Sequence, residues 1–284
     1  MPLIDAQVHV YEANTPQRPW RNVPNWLAHA TGDEVVAAMD AVGVDGAILV
    51  SPFMLYRYDA SYAVAVCRAH AGRFALVKPL DPDDAAVADV ITDWKNTPGA
   101  VAVRILMDRH AGYGAQHAGV ARIARAAAHH GLPVNLHCWD NLDAAMALID
   151  QHPNTRFVID HLGTVQPFAP FAPSVATGAP RPWPELPSVL ELAKRSNAVI
   201  KVTGACTLSN GCYPFHDIWD PLARVFDAWG IDRCLWGTDW TRAIAVVSYR
   251  PAVECFRLSD RLSDSERGML MGGTCAQVYG WLPG

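Results

Sequence analysis

A (β/α)8 barrel is the fold class that this 284-residue sequence predicts, and three observations carry it. Eight short runs rich in Val, Ile, Leu and Ala recur along the chain, helical patterns fill the intervals, and ionisable side chains collect where the runs end. Nearly continuous apolar runs mark strands covered on both faces, and strands alternating with helices build a parallel sheet with right-handed crossovers. Eight such units suit closure into a barrel.

The predicted strands are 3–10, 46–52, 73–80, 99–106, 132–139, 156–162, 198–204 and 233–240. Between the first two, residues 33–42 open after Thr31-Gly32 with Asp33 and Glu34, acidic groups that suit a first helical turn. Residues 118–130 are Ala-rich and stop at Gly131, a good residue just past a helix end. Residues 263–279 open with Ser263 and Glu266 at capping-box spacing. The rival fold, an open doubly wound sheet, needs a Gly-rich phosphate loop after its first strand, and Val10-Tyr11-Glu12-Ala13 is not one. Residues 1–284 are therefore expected to form one barrel domain. Pro- and Gly-rich residues 163–187 form the one long irregular segment, on the side where barrel loops shape a pocket.

Composition narrows the function. Hydrophobic residues make up 51% and charged residues 18%, a globular balance with material for a large core. A net charge of −5 with no basic run argues against nucleic-acid binding. The N-terminus lacks the basic start of a secretion signal, and no apolar stretch approaches the roughly 20 residues that span a bilayer. A soluble, cytoplasmic protein is expected, with a small-molecule partner and self-association left open. Seven scattered cysteines read as small buried hydrophobes in a reducing compartment.

The last residues of the predicted strands are Gln7 and His9, Ser51, Lys78, Arg104, His137, Asp160 and His161, Lys201 and Thr203, and Asp239. Strands buried on both faces do not hold so many ionisable groups unless these converge on a cavity. A lone histidine at a strand end is more often structural, but His9, His137 and His161 end three different strands. The other histidines lie mostly on helices or loops and read as solvated or structural.

These residues sit in DAQVHV (5–10), RI (104–105), LHCW (136–139), DHLG (160–163), KVTG (201–204) and GTDW (237–240), and together they resemble the amidohydrolase superfamily. The likeness is to the amidohydrolase-2 group, which includes 2-pyrone-4,6-dicarboxylate lactonase, sugar-acid lactonases and related decarboxylases. MGGTCAQVYGW (271–281) resembles that group's last helix, with Thr274 where Asn is usual. The resemblance implies a distorted barrel whose site is lined by a first-strand H-x-H pair, His137, His161 and Asp239. Here the pair is Gln7 and His9, a departure that replaces an imidazole by a weaker carbonyl ligand.

The expected chemistry is hydrolysis of a small, carboxylated lactone or cyclic ester. Asp239 would take the proton of the attacking water, and His9, His137 and His161 would donate to the developing oxyanion. Arg104 would grip a substrate carboxylate, with Lys78, Arg57 or Arg242 adding charge and Ser51, Tyr58 and Trp139 lining the pocket. No obligatory cofactor is expected; a single zinc or manganese ion on Gln7, His9, His137 and Asp239 is the alternative. Two rival functions remain: metal-dependent decarboxylation of an aromatic or dienoic acid, and a catalytically silent barrel that binds a small acid. Loops 11–31, 52–60 and 163–187 are expected to set specificity.

Overall fold

The computed structural model describes residues 1–21, 26–167 and 183–284. Its frame is one parallel sheet of eight strands in sequence order: β1 (Ile4–Val8), β2 (Gly46–Val50), β3 (Phe74–Pro79), β4 (Ala100–Leu106), β5 (Val134–His137), β6 (Phe157–Ile159), β7 (Ala198–Thr203) and β8 (Cys234–Gly237). Every predicted strand is present, trimmed by a residue or more at most ends. The barrel closes where the chain leaving β8 meets β1: Asp239 N–H donates to Gln7 O at 3.0 Å. Thr238 N–H and Oγ–H also donate to Asp5, at 2.9 and 2.6 Å.

Two apolar layers hold the frame. Inside the barrel, Ile4, Ala6, Ile48, Val50, Ala75, Val77, Val158, Val199 and Leu235 pack against Cys275, Val278 and Tyr279 of the C-terminal helix Thr274–Tyr279. Outside, the alternate strand residues, among them Leu49, Leu76, Val103 and Ile105, pack under the surrounding helices. Along β1 the inward phase changes. Asp5 pairs with Ala47 but Val8 with Leu49, so β1 carries one extra residue between them. Such a bulge turns the following side chains by one face. It lets Ile4 and Ala6 fill the barrel floor while Gln7 and His9 still face its mouth.

The helix Gly32–Asp40 is closed at its start by a full capping box of Thr31 and Glu34. Ser263 and Glu266 form a second, as their spacing predicts. The expected helix 263–279 is helical throughout but widens to a π-turn over Met269–Gly273. Within it the backbone passes close to the chain just before β1, and a Cβ on Gly272 would lie 1.9 Å from Pro2 O. All seven cysteines are free, six of them buried. Among the described residues no helix is long and apolar enough to cross a membrane. Parts of the expected specificity loops, residues 22–25 and 168–182, lie outside the described residues.

Candidate active site

The mouth of the barrel is built on one buried carboxylate. Asp160, fully enclosed at the end of β6, takes Arg104 Nε on Oδ2 at 2.7 Å and Lys201 Nζ on Oδ1 at 3.1 Å. Burial alone would push its carboxyl up, but these two cations outweigh that and hold it below the ordinary range. Asn135 Nδ2 reaches the same Oδ1 at 3.5 Å, and Asn135 is held in turn by Tyr279 OH at 3.1 Å. Arg104, from β4, thus enters the site with its plane fixed from behind.

Lys201 also settles the orientation of Gln7. An ammonium only donates, so the Gln7 atom 2.9 Å from Lys201 Nζ is Oε1. The amide nitrogen then faces His161 Nε2 at 3.1 Å. Gln7 Oε1 thus accepts from Lys201 and keeps one further lone pair.

His161 and Asp239 face each other across the mouth, His161 Nδ1 standing 3.6 Å from Asp239 Oδ2. Both have left-handed backbone, with φ of 54° and 52°. Side chains other than Gly enter that region at a cost of about 1–3 kcal/mol, a strain concentrated at functional sites. Thr203 Oγ1 holds the His161 turn, accepting from its backbone N–H at 3.2 Å and lying 3.0 Å from Nδ1. Burial, opposed by Asp239 and Asp160, drives the His161 pKa well below its usual value.

Asp239 is anchored on one oxygen. Arg242 Nε donates to Oδ2 at 2.5 Å, while Arg242 Nη2 donates to Gln166 Oε1 and Nη1 to Pro167 O, each at 2.7 Å. Burial would raise the Asp239 carboxyl, but Arg242, His161 and His9 together hold it well below the carboxylate range. Its other oxygen, Oδ1, is buried without a hydrogen bond. His9 Nε2 lies 3.2 Å from that oxygen. His9 Nδ1 is 2.6 Å from Val50 O, a pure acceptor, so Nδ1 carries a proton, and Nε2 faces Asp239, bare in the neutral ring and donating in the imidazolium. Two facing lone pairs need a proton or a cation between them.

A divalent ion is the test of that arrangement. Two ligands of a tetrahedral zinc stand about 3.4 Å apart, close to the separation of His9 Nε2 from Asp239 Oδ1. His137 Nδ1, buried and without a partner, is a third ligand atom at the same mouth. His137 Nε2 looks the other way, 3.7 Å from Asp108. His9 and Asp239 stand at ion-sharing distance, but their ligand atoms and those of His137 do not all come within 4.8 Å of one another. A second grouping, His137, Asp160 and His161, has ligand atoms within 4.8 Å of one another among the described residues. Its atoms are close enough to share an ion, although Arg104 and Lys201 already contact the Asp160 oxygens and Gln7 Nε2 faces His161 Nε2.

The cavity above these groups is lined by His9, Arg104, His137, His161, Asp239 and Arg242, with an apolar wall of Trp26, Pro52, Phe53, Met54, Leu106 and Trp139. Trp139 packs against both histidines, its ring 4.6 Å from that of His137 and 5.7 Å from that of His161. Other residues expected here are elsewhere. Lys78 leaves β3 on the outer face, its ammonium 5.8 Å from the Trp94 ring. Ser51 Oγ donates to Asp59 O at 2.7 Å and pins the loop after β2. Tyr58 packs on Phe53, as does the Arg57 guanidinium. Arg242 lines the cavity but spends its guanidinium on Asp239 and the Gln166 loop. Asp5, Asn135, Gln166 and Tyr279 form the supporting layer; all four lie in segments that the sequence singles out, but none is a candidate site residue there.

A closed parallel barrel with imidazoles, a buried carboxylate and a guanidinium at its C-terminal mouth defines an acid–base enzyme of the TIM-barrel class. The family model described as amidohydrolase, the amidohydrolase-2 group, matches residues 4–281, and the chain belongs to that family. It is an enzyme of hydrolase type. It is 26% identical over 238 residues to 4-sulfomuconolactone hydrolase of Hydrogenophaga intermedia, covering 83% of this chain and 73% of that one. Two solved structures share the fold. A Pseudomonas putida protein assigned as a 2-pyrone-4,6-dicarboxylic acid hydrolase is 24% identical, with a TM-score of 0.74 over 98% of this chain and 97% of that one. A zinc-bound amidohydrolase of Burkholderia multivorans is 21% identical, with a TM-score of 0.79 over 99% and 100%.

Proposed function

We propose that this protein hydrolyses a small anionic lactone, with Asp239 Oδ1 as the proton acceptor for the attacking water. The observation that carries the reading is the Asp239 carboxylate itself: one oxygen is locked by Arg242, and the other is buried, unbonded and open to the cavity beside His9. Water attacks the ring carbonyl and gives its proton to Oδ1. Arg104 and His137 face the oxygen that becomes negative, and Asp239 returns the proton to the departing ring oxygen. Burial, with Arg104 adding to it, depresses the His137 pKa to about 4, so His137 is neutral at physiological pH and carries one ring proton to share.

Arg104 also supplies the positive charge that would select an anionic substrate, since Asp160 leaves its Nη1 unbonded among the described residues. The lactone hydrolase named above supports this substrate class. A carboxylate held as low as Asp239 is a weak base, and water needs help to surrender a proton to it. A divalent ion shared by His9 and Asp239 would supply that help when bound, lowering the pKa of water to about 7. The reading is tested with Asp239→Asn against a panel of carboxylated and sulfonated lactones. A loss of about 10²–10⁴-fold in kcat with an unchanged circular dichroism spectrum is expected. An Asn variant that keeps its rate removes Asp239 from the reaction, and CO2 release from aromatic acids in place of ring opening would make the chain a decarboxylase.

A further inference from the structure

Gln7 is in contact with both Lys201 and His161, and each contact constrains the next. Lys201 Nζ is a donor without acceptor capacity, so it selects Gln7 Oε1 and turns Gln7 Nε2 outward. That nitrogen also only donates, and it lies 3.1 Å from His161 Nε2. Arg104 Nη2, a third pure donor, stands 3.5 Å from the same imidazole nitrogen. A protonated Nε2 would meet two donors, so His161 Nε2 must offer its lone pair. On the far side of the ring, Nδ1 faces only oxygens that accept: Thr203 Oγ1 at 3.0 Å and Asp239 Oδ2 at 3.6 Å.

We propose that Gln7, anchored by Lys201, is a positioning residue that fixes His161 in its Nδ1–H tautomer, so that a proton and not a lone pair faces Asp239 Oδ2. The opposite tautomer would set a lone pair against Asp239 Oδ2 and an N–H against Gln7 and Arg104. Oδ2 is held by Arg242 Nε, with the His161 Nδ1–H 3.6 Å away on the same side, and Oδ1 is left to face the reaction. Burial, which holds His161 neutral, supports the same state. The donation expected from His161 to an oxyanion is then redirected: its one proton points at Thr203 and Asp239, and its role is to orient the carboxylate. The last step, from tautomer to working oxygen, rests on the lactonase reading; the tautomer does not.

The test is nitrogen NMR of protein labelled with [15N]histidine, with His161 assigned by the signal lost in His161→Gln. The expected wild-type spectrum shows a neutral ring with protonated Nδ1 and bare Nε2. Gln7→Glu replaces the donating amide by a second acceptor, so the Nε2 resonance should shift from the unprotonated to the protonated range. A wild-type His161 carrying its proton on Nε2 overturns the proposal even if Gln7→Glu fails to fold. So does a folded Gln7→Glu protein whose Nε2 resonance stays where it was. No substrate enters the measurement, so failure of the lactonase reading and failure of this proposal are separate results.

Discussion

Asp5, Asp160 and Asp239 are all buried carboxylates in one barrel, yet their neighbours send them different ways. Asp160 and Asp239 each face guanidinium or ammonium groups and stay charged. Asp5 has hydroxyl and amide donors, from Thr238, Tyr249 and Gln7, and no cation within ion-pair distance among the described residues. Burial therefore raises its pKa to about 6, against an ordinary 3.8. The folded state then holds a proton that the unfolded chain releases. The stability it contributes is complete below about pH 4 and is lost as pH rises through about 6. Over that window the wild type should lose roughly 3 kcal/mol relative to Asp5→Asn. Urea unfolding of both proteins between pH 4 and 7 measures the difference directly. A difference that does not change with pH would mean Asp5 is ionised throughout.

At the scale of elements, the loops after β6, β7 and β8 meet at Gly204. Its φ is 69°, and a Cβ there would lie 2.2 Å from Gln166 Oε1 and 3.0 Å from Arg242 Nη2. Gly204→Ala should displace Gln166, release Arg242 and loosen Asp239. A destabilisation of about 1–3 kcal/mol is expected in thermal unfolding, with a larger proportional fall in kcat than rise in KM. An Ala variant with wild-type kcat would make the glycine a matter of folding alone. Elements of this kind differ in how far the sequence reveals them. Eight apolar runs announce eight strands because both faces are covered, but that same coverage hides which side chains face inward. Arg104 and Lys78 are alike as strand-end cations, and only the register puts one in the cavity and the other against Trp94. Gln7 looks like a substituted ligand, and nothing in the sequence shows that Lys201 sits on its oxygen. Gln166 falls in a segment with no periodicity, so nothing in the sequence ties it to Arg242, whereas His9, His137, His161 and Asp239 end strands and are legible from position alone.

For the molecule as a whole, the two ends of the barrel are joined by one line of polar contacts. The C-terminal helix plugs the floor, with Cys275, Val278 and Tyr279 against inward residues of seven strands. Tyr279 reaches up through that layer to Asn135, Asn135 to Asp160, and Asp160 to Arg104 at the mouth. The plug is therefore both a stopper for the core and the far support of the cavity-lining Arg104 guanidinium. Tyr279→Phe keeps the ring and removes one hydrogen bond, leaving Asn135 Oδ1 buried and unpaired at a cost of about 1–3 kcal/mol. For a chain of this size that corresponds to a fall of roughly 2–8 °C in Tm. Arg104 should also lose part of its orientation, so KM for an anionic lactone should rise more than kcat falls. Calorimetry and steady-state kinetics on the same preparation separate the two effects. A Phe variant with lowered Tm but unchanged KM would show that the plug supports the fold without reaching the site.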